Sequence, residues 1–161
     1  MLPLELIVEY IAKHWQCRGA LRMQSNDCQI CGYEYCAEGA IADVFIKHAP
    51  NEVATIKARW DDQAFVWEEN GVEKKELLFL PIPVIRWIDS WHGPGTGEKL
   101  RVSLAFINDR GCPYWSLEQV ADLIKIQFGL GDPLAVAKVK GTKAYASLIK
   151  HGMEQGVTHG H

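Results

Sequence analysis

Four of the five cysteines fall between Cys17 and Cys36, so any metal or thiol chemistry is concentrated there. Cys28-Gln29-Ile30-Cys31-Gly32 has the C-x-x-C-G form by which a zinc knuckle presents two thiolates to one ion, the glycine permitting the tight reversal. Cys17 and Cys36 could complete a four-sulfur zinc site, and His14, His48 and Cys112 are spare donors. Such a site would be structural, because four protein ligands leave zinc no open position. The competing reading makes Cys17 and Cys36 small buried hydrophobes and Cys28 and Cys31 merely neighbouring thiols.

Cys36 also suggests a nucleophile. It precedes a predicted helix, where exposed N–H groups favour thiolate. His92 and Asp109 follow in the order Cys, His, Asp, so a cysteine-dependent hydrolase or transferase is the alternative function class. Chain order alone does not make a triad, which is defined by geometry. Thiol–disulfide exchange at Cys28 and Cys31 would call for a βαβ unit, and the pattern contains none. The glycine-rich stretch from Gly93 to Lys99 lacks the Gly-Lys-Ser/Thr ending of a phosphate loop and follows a helix rather than a strand. His151, His159 and His161 read as a polar tail, and the Lys138, Lys140, Lys143 and Lys150 series as a solvated helix face.

The elements that would hold these residues follow from periodicity. Leu4, Ile7, Val8, Ile11 and Trp15 recur at helical spacing over 3–14, with Pro3 in the first turn. An irregular segment, 16–34, leads to a second helix over 35–48 with Ala37, Ala40, Ile41, Val44 and Phe45 inward, stopped by Pro50-Asn51. Segments 53–60, 64–69 and 72–80 read as a three-stranded antiparallel meander, Asn70-Gly71 supplying a type I′ turn. Trp60 and Trp67 sit on this meander and would mark a binding surface if exposed.

Helices are expected over 81–92 and 116–128, the latter opened by a Ser116/Gln119 capping box. Another runs from Asp132 to about Lys150, while 100–106 fits a strand or a helical turn. The expectation is an α+β fold with helices at both ends around the meander, as a single domain over 1–150 and a flexible tail over 151–161. The echo between Cys17-Arg18-Gly19-Ala20-Leu21 and Cys36-Ala37-Glu38-Gly39-Ala40-Ile41 points to close backbone packing at Gly and Ala.

Trp15-Gln16-Cys17-Arg18-Gly19-Ala20-Leu21, Cys36-Ala37-Glu38-Gly39-Ala40 and Ile107-Asn108-Asp109 followed by Ser116-Leu117-Glu118-Gln119-Val120 form a pattern. It resembles that of an uncharacterised family of small bacterial and phage proteins carrying W-x-x-G-A, C-A-x-G-A, W-N-D and T-x-x-E-V motifs. Ile107 stands where that family has Trp, and Ser116 where it has Thr. The Cys28/Cys31 pair is not part of the pattern, and the meander would be an insertion. The resemblance implies a bacterial or phage origin and no particular activity.

Composition sets the outer bounds. At 161 residues, 48% apolar and 23% charged, the chain can bury a core without a staple. A net charge of −3 gives no basic field for a phosphate backbone, so a nucleic-acid partner is not expected. No apolar run is long enough for a bilayer and the first residues lack a basic-then-apolar signal. No membrane partner is therefore expected. Clustered cysteines suit a reducing cytoplasm. The favoured reading is a non-catalytic binding or accessory protein that works through contacts with another protein.

Overall fold

The structure, a computed structural model, describes residues 4–25, 32–110 and 116–127. Among the described residues the chain forms α1 (Leu4–Lys13), β1 (Arg22–Gln24), β2 (Tyr33–Tyr35), α2 (Ala37–His48) and α3 (Pro50–Ile56). It continues through β3 (Arg59–Asp61), β4 (Ala64–Glu69), β5 (Val72–Glu76), α4 (Ile82–His92), α5 (Thr96–Arg110) and α6 (Leu117–Gln127). The fold class is α+β, with helices before and after an antiparallel β3-β4-β5 sheet along the chain and a separate β1-β2 ribbon. No helix among the described residues is long and apolar enough to cross a membrane.

Helix α2 is the axis of the domain. Every residue from Ala37 to Phe45 is buried, so the helix has no solvent face over its first nine positions. A helix buried all round needs neighbours on every side, and α1, α3, α4, α5 and β2 supply them. Close approach at its start depends on Gly39, where a Cβ would overlap the Leu21 carbonyl. The Cys36 N–H donates to the same carbonyl at 3.1 Å. The Gly-Ala echo is therefore a packing device at this position. On the other side, Phe45 packs against Phe65 of β4 and Trp87 of α4.

Several sequence expectations shift by identifiable causes. The segment expected as a strand from Val53 is helical to Ile56: Pro50 opens α3 instead of only ending α2, and Lys57 closes it in the left-handed region. Half-buried Val53 and Ile56, one turn apart, pack on the core, and tertiary contact overrides their β propensity. The 100–106 ambiguity resolves as helix α5. Asn70 and Gly71 both take positive φ, 53° and 78°, as a type I′ hairpin requires. The capping box at α6 is formed in both directions, Ser116 N–H to Gln119 Oε1 at 2.9 Å and Gln119 N–H to Ser116 Oγ at 3.2 Å.

The segment read as irregular contains the β1-β2 ribbon, with Arg22 opposite Tyr35 and Gln24 opposite Tyr33. Trp15, expected on the inner face of α1, is 51% exposed. The helix ends at Lys13, so the four-residue spacing no longer applies beyond it. The helix expected over 132–150 and the 151–161 tail lie outside the described residues.

Candidate functional site

The candidate thiol chemistry begins immediately before α2. Cys36 is the N-cap, and its Sγ accepts the Gly39 N–H at 3.3 Å. It is 4% exposed, and burial pushes its thiol up to about 12, the Gly39 hydrogen bond offsetting only part of that. A helix N-terminus is worth roughly 0.3–1 kcal/mol to an anion, less than one pKa unit. Desolvation therefore wins, and the thiol stays protonated at neutral pH. Cys17, also buried, donates to the Ala20 carbonyl at 3.6 Å, and burial followed by the charge of Glu34 pushes it up to about 11.

No imidazole bonds to Cys36 among the described residues. His92 is the last residue of α4 and Asp109 lies near the end of α5, but the side chains of both fall outside the described residues. Cys28, Cys31 and Cys112 also fall outside them. Among the described residues, no three His, Cys, Asp or Glu side chains converge to hold a metal ion.

A second cluster has no counterpart among the sequence motifs. Asp43, in the middle of α2, is 2% exposed. Its Oδ2 accepts from His14 Nε2 at 2.9 Å and pairs with Lys47 Nζ at 2.7 Å, while Oδ1 accepts from Trp60 Nε1 at 3.0 Å. Burial alone would raise the carboxyl, but the hydrogen bonds from His14 and Lys47, the Lys47 charge and the Trp60 N–H together hold it below its ordinary 3.8. The other His14 nitrogen, Nδ1, lies 2.6 Å from the Tyr10 carbonyl. Both imidazole nitrogens are thus engaged inside the fold, leaving none to take a proton from a substrate. A general base must reach its substrate, so this His–Asp pair is a structural joint between the C-terminal end of α1, α2 and β3.

Arg22 joins the β1-β2 ribbon to the meander. Its guanidinium lies 3.5 Å from the Tyr33 ring centroid and 4.5 Å from that of Trp60, and Nε donates to the Asp62 carbonyl. Asp62 Oδ1 also accepts from Gln24 Nε2 at 3.0 Å. The cation is buried at little cost because aromatic faces and a carbonyl replace its water.

The tryptophans proposed as a binding surface turn inward. Trp60 is half-buried with its N–H on Asp43, and Trp67 is 5% exposed with its N–H on Glu69 Oε1 at 3.0 Å. Each indole finds an internal acceptor, so burying it leaves no unpaired donor. The meander accordingly offers no exposed indole surface from these two residues.

A cleft of about 380 Å³ opens between α3 and α4, with Phe45, Ile56 and Trp87 in its lining and Glu52, Glu69 and Arg86 among its polar groups. Glu69 is saturated by Trp67, Lys74 and Arg86, and the first two hold its carboxyl below the usual value. The Thr55 and Ser90 hydroxyls donate to carbonyls of their own helices. These groups brace the walls.

The unsatisfied surface is elsewhere. Between β5 and α4 the chain sets out Leu77, Leu78 and Phe79 at 52, 53 and 45% exposure, and Ile82 follows at 51% on the first turn of α4. The third strand, expected to reach Leu80, ends as β5 at Glu76. The missed signal was four apolar residues in a row, Leu77-Leu78-Phe79-Leu80, before Pro81 and Pro83. Only Leu80 of the four is buried. No family model, curated protein or solved structure matches the chain.

Proposed function

We propose that this chain is a non-catalytic binding or accessory domain that acts through contact with a protein, and that Leu77, Leu78, Phe79 and Ile82 form the contact. The observation that carries the reading is the half-exposure of four large apolar side chains within six residues. Scattered single leucines on a surface need no explanation, but a contiguous group marks an interaction site. The neutral, buried Cys36 thiol and the fully engaged His14 favour this reading over the cysteine-dependent enzyme. An origin in bacteria or their phages, which the sequence resemblance implies, belongs to the same proposal.

The test is site-specific photocrosslinking in living cells. With p-benzoylphenylalanine in place of Leu78, irradiation should give covalent adducts of raised mass. The same group at Glu52, an exposed position on α3, should give few. Equal or absent adducts from both positions would refute the assignment.

A further inference from the structure

The His14 ring has acceptors on both sides. Nδ1 lies 2.6 Å from the Tyr10 carbonyl, one turn back at the end of α1, and Nε2 lies 2.9 Å from Asp43 Oδ2. A carbonyl oxygen only accepts, so Nδ1 must carry a proton there. The Asp43 carboxyl is also met by Lys47 and the Trp60 N–H, and its donors hold it ionised, below its ordinary 3.8. It has no proton to give, so Nε2 must carry one as well. A neutral imidazole has a single N–H; only the imidazolium has two. The position agrees, because the last carbonyls of a helix favour a cation.

We propose that the fold holds His14 as the imidazolium, and that the joint between the end of α1 and α2 is thereby a pH-sensitive switch. Losing either ring proton turns a lone pair toward the Tyr10 carbonyl or the Asp43 carboxylate, and one bond of the joint is lost. Lys47 stays 2.7 Å from Asp43, so the buried carboxylate keeps a counter-charge and the joint loosens while the core stays packed. The backbone of 15–17 follows directly and bridges to Tyr35 of β2. With both nitrogens donating, His14 has no lone pair for a metal, which removes it from the spare zinc donors.

Few groups bear on the ring. From α2 come Asp43 and, through it, Lys47, which is 60% exposed. From β2 the Tyr35 ring meets it edge-on at 4.8 Å, and burial pushes that phenol up, so it stays neutral. Lys13 of α1 lies 5.1 Å from the Tyr10 ring centroid, and His48 of α2 stacks on the same ring at 4.7 Å. Helix α6 also packs on α1, but among the described residues none of its charged groups pairs with His14. His48, a second imidazole, must therefore be separated from His14 in any titration.

The folded chain binds the second His14 proton between two acceptors, while the unfolded chain binds it in water. The contribution of the joint is therefore complete at low pH and is lost as pH rises. Nitrogen-15 NMR of the full chain, labelled at histidine and tryptophan, tests this from about pH 5 to about pH 9, across the histidine range. At the acid end His14 should show two protonated ring nitrogens. As one proton leaves, the Trp60 indole N–H resonance should move with the same midpoint, because it shares Asp43. The urea unfolding midpoint should fall over the same interval. His14→Gln should abolish both responses and His48→Gln should leave them; the wild-type titration stands without either variant. A single ring N–H at the acid end, or two that persist to the alkaline limit, would overturn the switch. So would a Trp60 resonance and a urea midpoint that ignore the His14 titration.

Discussion

Asp43 and the Leu77–Ile82 run invert the usual placement of polar and apolar groups, and they do so with opposite consequences. The buried carboxylate is answered entirely within the chain: His14 just past α1, Lys47 of α2 and Trp60 of β3 supply the donors. The exposed leucines are answered by nothing among the described residues that would take them from water. A misplaced group with a complete set of internal partners belongs to the folding of the molecule. One whose backbone is anchored while its side chain is left in solvent points to something outside it. That contrast, rather than the residue types, separates structural from functional candidates here.

The largest effect expected from breaking this contrast is at Asp43. Asp43→Ala leaves His14 and the Trp60 N–H without their acceptor and should cost about 3–5 kcal/mol, the range for removing one partner of a buried charged pair. Urea unfolding reads this directly. Its pH dependence fixes the sign. Because the folded carboxyl lies below the ordinary 3.8, its contribution is complete above that value and is lost as pH falls through the lower folded one. The wild-type chain should therefore lose stability in that acid window, while Asp43→Asn should lack this component of the loss. Identical acid profiles would remove Asp43 from the account.

How much of this the sequence disclosed depends on whether a signal was local. The Asn70-Gly71 turn and the Ser116/Gln119 box are written within four residues, and both form as read. The inward stripe of α2 was also legible, and with it the α+β class. The Asp43 joint was not, because two of its three partners lie 29 and 17 residues away in sequence, and only Lys47 is local. A clue was present: Asp43 interrupts an otherwise apolar run, Ala40-Ile41-Ala42 before it and Val44-Phe45 after. The tryptophans misled because an indole reads as a surface anchor or a core residue according to where its N–H finds an acceptor, which spacing does not reveal. Cys36 misled for the opposite reason. Its position at a helix N-terminus was right, but the helix proved buried on all sides.

An intermediate effect is expected at that thiol. Cys36 and Cys17 should react with an aromatic disulfide reagent at least about a hundredfold more slowly than an exposed cysteine, since both burial and the raised pKa suppress thiolate. Denaturant should bring their rates to the ordinary value. Fast reaction of Cys36 in the native protein, mapped by peptide mass, would restore it as a nucleophile and weaken the non-catalytic reading. Cys36→Ser keeps a capping oxygen for the Gly39 N–H, so it should preserve the fold while removing that sulfur from the count.

The smallest effect is the most discriminating. Leu78→Ser removes a large apolar side chain, which in a core would cost several kcal/mol. At 53% exposure it should change the unfolding free energy by no more than about 0.5 kcal/mol, as for a surface substitution. The measurement belongs at low protein concentration, about 1 μM, where any bound partner is dissociated and contributes no linkage. A loss above about 2 kcal/mol there would mean that Leu78 packs against its own chain. The surface would then join Asp43 among groups satisfied from within. Near-neutral stability together with lost association or crosslinking would instead place the role of Leu78 outside folding, because the same side chain would matter only when a second molecule is present.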